Sequence, residues 1–421
     1  MAAASPEPVL DRSVGLTSAV GFGMGAMVGT GLFVTTAIGA GLAGPAVLVS
    51  LAVAGGAAVC NGLSSASLAM IYPRSGGTYE YAGRRISPGI GFLAGWLFLA
   101  AKTTSAAATA LAFGGYVGRS TGMPPLALSF ALVVGVTILN FFRLTRAGAI
   151  NLALVAMSLL SLLAFVATGI PRLSVDRFSP FAPAGAWSIL PAASLLFVAY
   201  AGYGRVATLG EEIADPPRNI PIAVVISLAV TILLYLGVTA VALGTVGAEA
   251  FARSADGGAP LRDAAGPDWV KNGLSAGAAT ALASVFLNLM LGLSRMAFAI
   301  GRGGELPRAL SRVNRASSPY VAVLAVGGVV AGLVAVRSIV TLLGISAFTV
   351  LVYYSLTNLS AIRLRPPERL VSPAAPAVGL LCCLALIASV PPRQLAVGAG
   401  VLAAGVLWRL LWRARFRTTL P

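Results

Sequence analysis

The sequence has no histidine and few acidic residues, which removes the side chains that most enzymes and metal sites use. Among 421 residues there are 13 Asp and Glu and three Cys. No acidic residue lies deep in a long apolar segment, so a proton relay through carboxylates or imidazoles at membrane depth is largely excluded. Cys60, Cys382 and Cys383 lie within apolar segments, and their spacing fits neither a disulfide framework nor a zinc site. We predict no tightly bound cofactor and no metal.

Charge of either sign is scarce. Only 10% of residues are charged, 57% are hydrophobic and the mean hydropathy is +0.90, which predicts a polytopic membrane protein. The polar start of the chain and the length of the first apolar run do not fit a cleaved signal peptide. The net charge of +16 comes from basic residues spread over many short loops, so membrane topology explains it better than a nucleic-acid partner.

Apolar segments long enough to cross a bilayer occur along the whole chain. About 20 residues of helix span a hydrocarbon core of about 30 Å. Twelve segments qualify, so the predicted fold is an all-α polytopic membrane protein with 12 transmembrane helices. They are Leu16–Gly39, Pro45–Tyr72, Gly89–Val117, Pro125–Phe141, Ala147–Ile170, Leu190–Gly210, Ile222–Val246, Gly273–Ile300, Pro319–Val336, Ile339–Leu359, Ala374–Val390 and Gln394–Leu411. We number them spans 1 to 12; the last two are short and are alternatively one hairpin.

The distribution of Lys and Arg predicts the orientation, because positive loops stay in the cytoplasm. With the N-terminus inside, 18 basic residues lie in cytoplasmic segments and eight on the opposite side. The remaining three, Lys102, Arg205 and Arg295, lie in or at the ends of spans. We therefore expect a multi-pass protein of the inner (plasma) membrane with both termini in the cytoplasm. The longest loop, Gly247–Asn272, is expected outside with a short helix.

Glycines interrupt two of the predicted spans. Gly29 and Gly31 lie in span 1, and Gly202 and Gly204 lie in span 6. Backbone groups freed by unwinding a membrane helix are tolerated where they line a polar cavity, so we expect a break in each span. Spans 1 and 6 enter from opposite sides, as the first helices of two inverted repeats would. For Gly21 and Gly25 we favour close helix packing as the explanation.

Four stretches carry a resemblance to a known family. They are VGTGLF in span 1, Tyr72–Trp96, Phe197–Pro221 and Leu293–Pro307. With them the sequence resembles an amino-acid permease of the amino acid-polyamine-organocation superfamily, closest to the cationic amino-acid transporters and their bacterial relatives. The resemblance implies one transporter domain with a LeuT-like fold. Its two inverted five-helix repeats would be residues 15–170 and 188–361, with two extra helices in 374–411, and helices 1 and 6 broken.

The resemblance also implies where an amino acid binds. Its carboxylate would meet the backbone N–H groups of Gly29, Thr30 and Gly31, and its ammonium would meet carbonyl groups at both breaks. A half-helix that begins near Thr30 is an anion site, and one that ends near Ala26 offers carbonyls to a cation. A zwitterion satisfies both. The predicted substrate site is Gly25, Ala26, Val28, Gly29, Thr30, Gly31, Phe197, Val198, Tyr200 and Gly202.

Two residues are candidates for coupling transport to an ion. Lys102 is an ionisable group inside span 3, which makes it a functional candidate by default. Its alternative role is structural, with the ammonium held by carbonyls or by Thr103, Thr104 or Ser105. The family's proton-coupled members have a lysine in span 5 where alignment gives Ser158. Its hydroxyl would either coordinate an ion or bond to its own helix.

Acidic residues follow span 6 on the predicted cytoplasmic side. Glu211 and Glu212 are candidates for a gate of ion pairs with nearby arginines, and the alternative is a solvated cluster at the interface. Ala101 and Lys102 stand where some cationic transporters have an acidic residue. We therefore favour a neutral amino acid as substrate and keep an acidic one open.

The most favoured function is alternating-access uptake of an amino acid coupled to protons, as in a symporter. An amino-acid exchanger, a cationic amino-acid or polyamine transporter, and a transport-inactive sensor or partner protein of the same fold stay open. An intramembrane enzyme lacks a catalytic set at membrane depth, and a channel lacks a filter motif. The partners expected are the amino acid, the lipid bilayer and H⁺.

Overall fold

The computed structural model is all-helical over the residues it describes, which are 14–72, 76–142, 147–208, 213–314 and 318–416. Short 3₁₀ turns and one π-helical turn join the α-helices, which we number in chain order. They are α1 Leu16–Met27, α2 Thr36–Ala43, α3 Val47–Ile71, α4 Thr78–Arg85, α5 Pro88–Thr121, α6 Pro125–Leu139, α7 Ala147–Gly169, α8 Ile189–Tyr200, α9 Gly204–Thr208, α10 Pro216–Val246, α11 Ala248–Arg253, α12 Pro260–Ala264, α13 Asp268–Arg302, α14 Tyr320–Val334, α15 Ile339–Ile362, α16 Ala374–Ala388 and α17 Pro392–Phe416.

Within these ranges, eight helical segments are long and apolar enough to cross a membrane by length and composition. Three shorter apolar helices, α6, α14 and α16, accompany them. Large apolar side chains such as Leu160 (66% exposed) and Leu233 (70% exposed) lie on the outside of the bundle, where lipid tails would surround them. The protein is therefore a membrane protein built from many apolar helices.

Several helices extend beyond the predicted apolar segments. Helix α10 begins at Pro216 rather than Ile222, and α13 begins at Asp268 rather than Gly273. Proline is well suited to the first turn of a helix, because its ring fixes φ and its missing N–H would have no partner there. The hydropathy pattern locates the bilayer-crossing part of a helix, whereas its polar ends continue into the interface. The last two apolar segments are separate helices, α16 and α17, on either side of Pro391.

Helix α5 occupies the centre of the bundle and packs against α6, α13 and α15. It begins after Ser87, whose side chain accepts a hydrogen bond from the N–H of Ile90 at 3.3 Å. It ends at Gly122, whose φ of 74° is in the left-handed region that favours glycine. Most of its inward residues are Ala, Gly, Ser or Thr, which lets neighbouring backbones approach closely.

The segment between α10 and α13 contains two short helices, α11 and α12, where a single short helix was expected. The Tyr116 hydroxyl of α5 accepts the N–H of Leu261 at 3.2 Å and donates to the Phe33 carbonyl at 2.9 Å. This one buried hydroxyl therefore connects the loop segment, α5 and the helical turn that follows the break in span 1.

Candidate substrate site

Span 1 is interrupted between α1 and α2. Val28 is extended, with φ −71° and ψ 90°, and a π-helical turn, Gly31–Thr35, follows before α2. The Gly29 carbonyl accepts the N–H groups of Leu32 at 3.1 Å and Phe33 at 3.0 Å, so the helix restarts at this point. A side chain at position 29 would meet Val285 and one at position 31 would collide with Ala199, so glycine at both positions lets the neighbouring helices approach the break.

The restarted helix presents unpaired donors. Among the described residues, the backbone N–H groups of Gly29, Thr30 and Gly31 donate no hydrogen bond. The first N–H groups of any helix lack intrahelical partners and carry the positive end of its dipole. Such an end binds anions such as carboxylates.

Span 6 is interrupted between α8 and α9. The interruption is a single 3₁₀ turn, Ala201–Tyr203, between α8 and the short α9. The Ala201 carbonyl of this turn receives the Tyr354 hydroxyl at 3.3 Å and the Lys102 ammonium at 3.5 Å. Carbonyl oxygens at the end of a helix carry the negative end of its dipole, so this break suits a cation.

The two interruptions lie against each other. A Cβ placed on Gly31 would lie 2.7 Å from Ala199 Cα in span 6, and one placed on Gly202 would collide with the Ala26 carbonyl in span 1. The Tyr235 hydroxyl of α10 donates to the Met27 carbonyl at 2.6 Å and lies 3.4 Å from the Ala199 carbonyl. Glycine at 31 and 202 is therefore required for this close approach.

A cavity of about 230 Å³ opens between the breaks and runs along α13. Its wall is formed by spans 1 and 6 on one side and by α5, α13 and α15 on the other. The lining residues are Ala26, Met27, Thr30, Gly31, Thr35, Gly76, Phe98, Lys102, Ser105, Thr109, Val198, Ala199, Ala201, Gly202, Gly204, Arg205, Val285, Asn288, Leu289, Gly292, Arg295, Met296, Ala299, Leu343, Tyr353 and Tyr354.

One face of α5 joins the two breaks. Phe98, Lys102, Ser105 and Thr109 follow each other at intervals of four and three residues, which places them on one side of a helix. Thr109 accepts a hydrogen bond from the Thr30 hydroxyl at 2.8 Å, at the span 1 break. Lys102 reaches the Ala201 carbonyl at the span 6 break, as described above. A single rigid element therefore carries a polar contact to each break.

This arrangement of two facing breaks around a mostly apolar cavity agrees with the comparison with known proteins. The amino acid permease family matches the chain over residues 14–411. The chain belongs to the amino acid permease family. That assignment rests on nearly the whole length of the sequence rather than on a local motif.

Two relatives and one solved structure show how far the similarity extends. An uncharacterized transporter of Mycobacterium tuberculosis is 41% identical over 403 residues, covering 94% of this chain and 90% of the relative. The branched-chain amino acid permease BcaP of Bacillus subtilis is 28% identical over 417 residues, which cover 92% of this chain and 90% of the relative. The crystal structure of a manganese transporter of Eremococcus coleocola has the same fold, with a TM-score of 0.65, 14% identity and coverage of 96% and 94%.

The permease's predicted substrate residues fall into two groups. Ala26, Thr30, Gly31, Val198 and Gly202 line the cavity. The other five do not lie in the described lining; they are Gly25, Val28, Gly29, Phe197 and Tyr200. Gly29 faces Val285, a lining residue whose Cγ2 lies 2.8 Å from a Cβ placed on Gly29, and Val28 is buried.

The two aromatic residues of that group are buried and contact other side chains or backbone. The Tyr200 hydroxyl donates to the Leu51 carbonyl at 3.3 Å, and its ring lies 5.1 Å from that of Tyr235. Phe197 contacts Tyr354 edge to face, with ring centroids 5.7 Å apart. Neither side chain belongs to the described lining. The backbone of α8, through Val198 and Ala199, forms the front.

The predicted coupling and gating residues have different positions. Lys102 lines the cavity and is half-buried, with its ammonium on a backbone carbonyl rather than on Thr103, Thr104 or Ser105. Ser158 is fully buried outside the cavity lining, and its hydroxyl has no hydrogen-bond partner in the described chain, not even in its own helix. Glu211 and Glu212 lie outside the described residues, so their gating role stays a prediction.

Sequence reasoning missed three hydroxyl groups that organise the breaks, those of Thr109, Tyr235 and Tyr354. Tyrosine in an apolar helix is common at bilayer depth and gives no signal of its own. For Thr109 a signal was available, because it lies on the same α5 face as Lys102. That spacing was sufficient to place both residues on the cavity wall.

Proposed function

We propose that this permease is a secondary-active transporter that moves an amino acid across the membrane by alternating access. The observation that supports it most is the polarity of the cavity between the breaks. Unpaired N–H groups at Gly29, Thr30 and Gly31 suit a carboxylate, and helix-end carbonyls at Ala26 and Ala201 suit an ammonium. An α-amino acid carries both groups on adjacent atoms.

The proposal includes a topology. We infer 12 spans, two inverted repeats within residues 15–170 and 188–361, two extra helices in 374–411, and both termini in the cytoplasm of a cell with the protein in its inner membrane. The matching interruptions of spans 1 and 6 support the repeat. In that orientation the cavity lining, which includes Arg295 and Ala299 near the end of α13, leads to the cytoplasm. The structure would then be an inward-facing state.

The proposed coupling is to protons. The half-buried Lys102 ammonium on the Ala201 carbonyl supports this role, because loss of a proton would remove the charge that holds the contact. Ser158, with its buried hydroxyl unpaired, is the second coupling candidate. We propose Glu211 and Glu212 as a cytoplasmic gate. The support for this role is that two arginines, Arg205 and Arg295, line the described cavity.

The cavity wall also bears on the type of side chain that is transported. The described lining contains Lys102, Arg205 and Arg295 and no Asp or Glu, which disfavours cationic amino acids and polyamines. The relative BcaP is named for branched-chain amino acids, which supports amino acids as the substrate class. The proposed substrate is therefore an amino acid with a neutral or acidic side chain.

Uptake by the purified protein in liposomes tests the proposal. The expected result is that at least one common L-amino acid raises the thermal unfolding midpoint and enters the vesicles faster under an inward proton gradient. Uptake that instead requires amino acid inside the vesicle would identify an exchanger. If no amino acid binds or moves under proton, sodium or exchange conditions, the proposal is wrong.

A matched pair of glycine variants tests the position of the site. In Gly29→Leu the new side chain enters the space beside Val285 and the span 1 break, so we expect amino-acid binding to fall at least about tenfold with normal insertion. Gly135→Leu makes the same change on the exposed face of α6, where nothing lies within 4 Å of an added Cβ, and should bind like the wild type. Equal binding by both variants would place the substrate elsewhere.

A further inference from the structure

The described cavity lining contains a lysine and no acidic residue. Its two arginines, Arg205 and Arg295, are the proposed partners of the gate, so the charge that bears on a ligand is that of Lys102. Lys102 lies in the middle of the α5 face, whereas Arg295 is exposed near the end of α13. A cleft lined by one sign of charge and enclosed by apolar walls raises the local concentration of oppositely charged ligands. The cavity therefore favours a ligand with net negative charge.

The position of Lys102 relative to the proposed carboxylate site narrows this preference. Thr109 bonds to Thr30 beside the free N–H groups, and Lys102 precedes Thr109 by two helical turns on the same face, or about 10 Å along the axis. The lysine stem of four carbons is flexible and extends towards the cavity. An amino acid bound by its α-carboxylate at Thr30 and Gly31 would therefore direct its side chain into the region that the Lys102 ammonium reaches.

The present contact of Lys102 leaves most of its bonding capacity unused. An ammonium has three donors, and the one hydrogen bond of Lys102 in the described chain runs to the Ala201 carbonyl at 3.5 Å, the upper limit for such a bond. A carboxylate accepts a shorter, charge-assisted bond that is about twice as strong as a neutral one. A neutral side chain would leave this cation facing the substrate without a counter-charge.

We propose that the transported amino acid has an acidic side chain and that its side-chain carboxylate binds the Lys102 ammonium. The inference rests on the proposed function, because it assumes that the α-carboxylate occupies the span 1 break. It assigns Lys102 a role in selecting the substrate, in addition to any role in coupling. It also selects the acidic alternative over the neutral one that the sequence favoured.

Binding of isosteric amino-acid pairs tests the proposed contact between Lys102 and the side-chain carboxylate. The measurement does not require transport. Thermal-shift titrations of the purified wild-type protein would give apparent affinities for L-glutamate and L-glutamine, and for L-aspartate and L-asparagine. We expect each acidic amino acid to bind at least about tenfold more tightly than its amide, which is the effect of one hydrogen bond to a charged group. In Lys102→Met the affinity for the acid relative to its amide should fall to about one. Lys102→Arg should keep most of the preference for the acid.

The chain offers a matched control, since Lys271 is its other lysine. Lys271 pairs with Asp268 at 2.9 Å near the start of α13, outside the cavity lining. Lys271→Met removes the same charge from the protein and should leave the acid-to-amide ratio within about twofold of wild type. A fall in both variants would mean that only the net charge matters, which would overturn the contact to Lys102.

The outcomes separate this inference from the proposed function. If amides bind as tightly as acids in the wild type, the inference is wrong and amino-acid transport stands. If no amino acid binds, the proposed function itself is wrong, and the inference that rests on it is rejected with it. Should Lys102→Met not fold, the wild-type ratio together with Lys102→Arg still decides, because equal binding of acid and amide by the wild type is sufficient to reject the inference.

Discussion

At the break in span 1 the backbone becomes extended at Val28 before the helix restarts, whereas the break in span 6 is a single 3₁₀ turn, Ala201–Tyr203. The first leaves N–H donors at Gly29, Thr30 and Gly31 without acceptors among the described residues. The second has a carbonyl at Ala201 that already receives two donors. The protein itself therefore satisfies the carbonyl at the span 6 break, whereas it leaves the N–H donors at the span 1 break without acceptors.

This difference follows from the side chains around each break. At span 1 the nearby hydroxyls bond to other groups, since that of Tyr235 donates to the Met27 carbonyl and that of Thr109 accepts from the Thr30 hydroxyl, so the N–H donors remain available to a ligand. Span 6 faces Tyr354 and Lys102, which supply donors from α15 and α5. We infer that a ligand forms new hydrogen bonds at the span 1 break. At the span 6 break it would replace donors that the protein already supplies. Binding should therefore be more sensitive to changes at the first break.

The largest expected effect comes from filling the contact between the breaks. In Gly31→Ala the added methyl would collide with Ala199 and lie 2.9 Å from the Tyr235 hydroxyl, so the breaks must separate. Overpacking of this kind costs about 1–3 kcal/mol, and we expect amino-acid binding to weaken by about tenfold or more. Thermal-shift titration of the variant measures this loss.

Gly29→Ala is the comparison for that variant. The atoms nearest to its added methyl belong to the Val285 side chain and not to the backbone of span 6, so the loss of binding should be smaller than for Gly31→Ala. Equal losses in the two variants would contradict the view that backbone contact between the breaks sets the geometry of the site.

A second variant removes the hydroxyl that supports span 1. In Tyr235→Phe the buried Met27 carbonyl loses its 2.6 Å hydrogen bond. A buried acceptor left without a partner costs about 1–3 kcal/mol, so the thermal unfolding midpoint should fall and amino-acid affinity should decrease several-fold. An unchanged midpoint would mean that another donor replaces the tyrosine and that this carbonyl is less isolated than the structure indicates.

The same substitution at the other break should have a smaller effect. In Tyr354→Phe the Ala201 carbonyl loses one donor at 3.3 Å but keeps Lys102, so we expect a loss near or below about 1 kcal/mol. The midpoints of Tyr235→Phe and Tyr354→Phe, measured in the same detergent, test the comparison directly. A larger fall of the unfolding midpoint in Tyr354→Phe would mean that the hydroxyl at the span 6 break contributes more stability than the one at the span 1 break.

Much of the helical architecture was predictable from the sequence. Apolar segments of sufficient length can satisfy their backbone groups in a bilayer only as helices, so hydropathy places most helices within a few residues of their ends. Glycine pairs such as Gly29 with Gly31 indicated where a helix stops, because glycine weakens a helix and leaves room for a ligand. Lys102 stood out because an ionisable residue in an apolar segment is costly.

The partners of these residues were not predictable in the same way. Lys102 contacts the backbone carbonyl of Ala201, and a backbone acceptor carries no signal in the sequence. Tyr235 reaches Met27 across 208 positions of chain, a contact that depends on how α10 packs against α1. Local patterns therefore predicted where the helices break. Which hydroxyl supports each break depended on tertiary packing.

The smallest expected effect concerns an ion pair outside the described cavity lining, which gives a baseline for the comparison. Arg85, at the end of α4, bonds to Glu368 at 2.8 Å in the segment after α15. This bond, with a further one from the Arg365 N–H, lowers the pKa of Glu368 below its ordinary value of 4.5. A lowered pKa in the folded protein means that the contribution is complete above pH 4.5 and is lost as the pH falls below it.

Glu368→Gln should therefore lower the unfolding midpoint slightly at neutral pH, and its difference from wild type should shrink as the pH falls below 4.5. Amino-acid affinity at neutral pH should stay within about twofold, because neither residue of the pair lines the described cavity. A loss of binding comparable to that of Gly31→Ala would mean that this ion pair is coupled to the breaks. The site would then extend energetically well beyond the two helix ends.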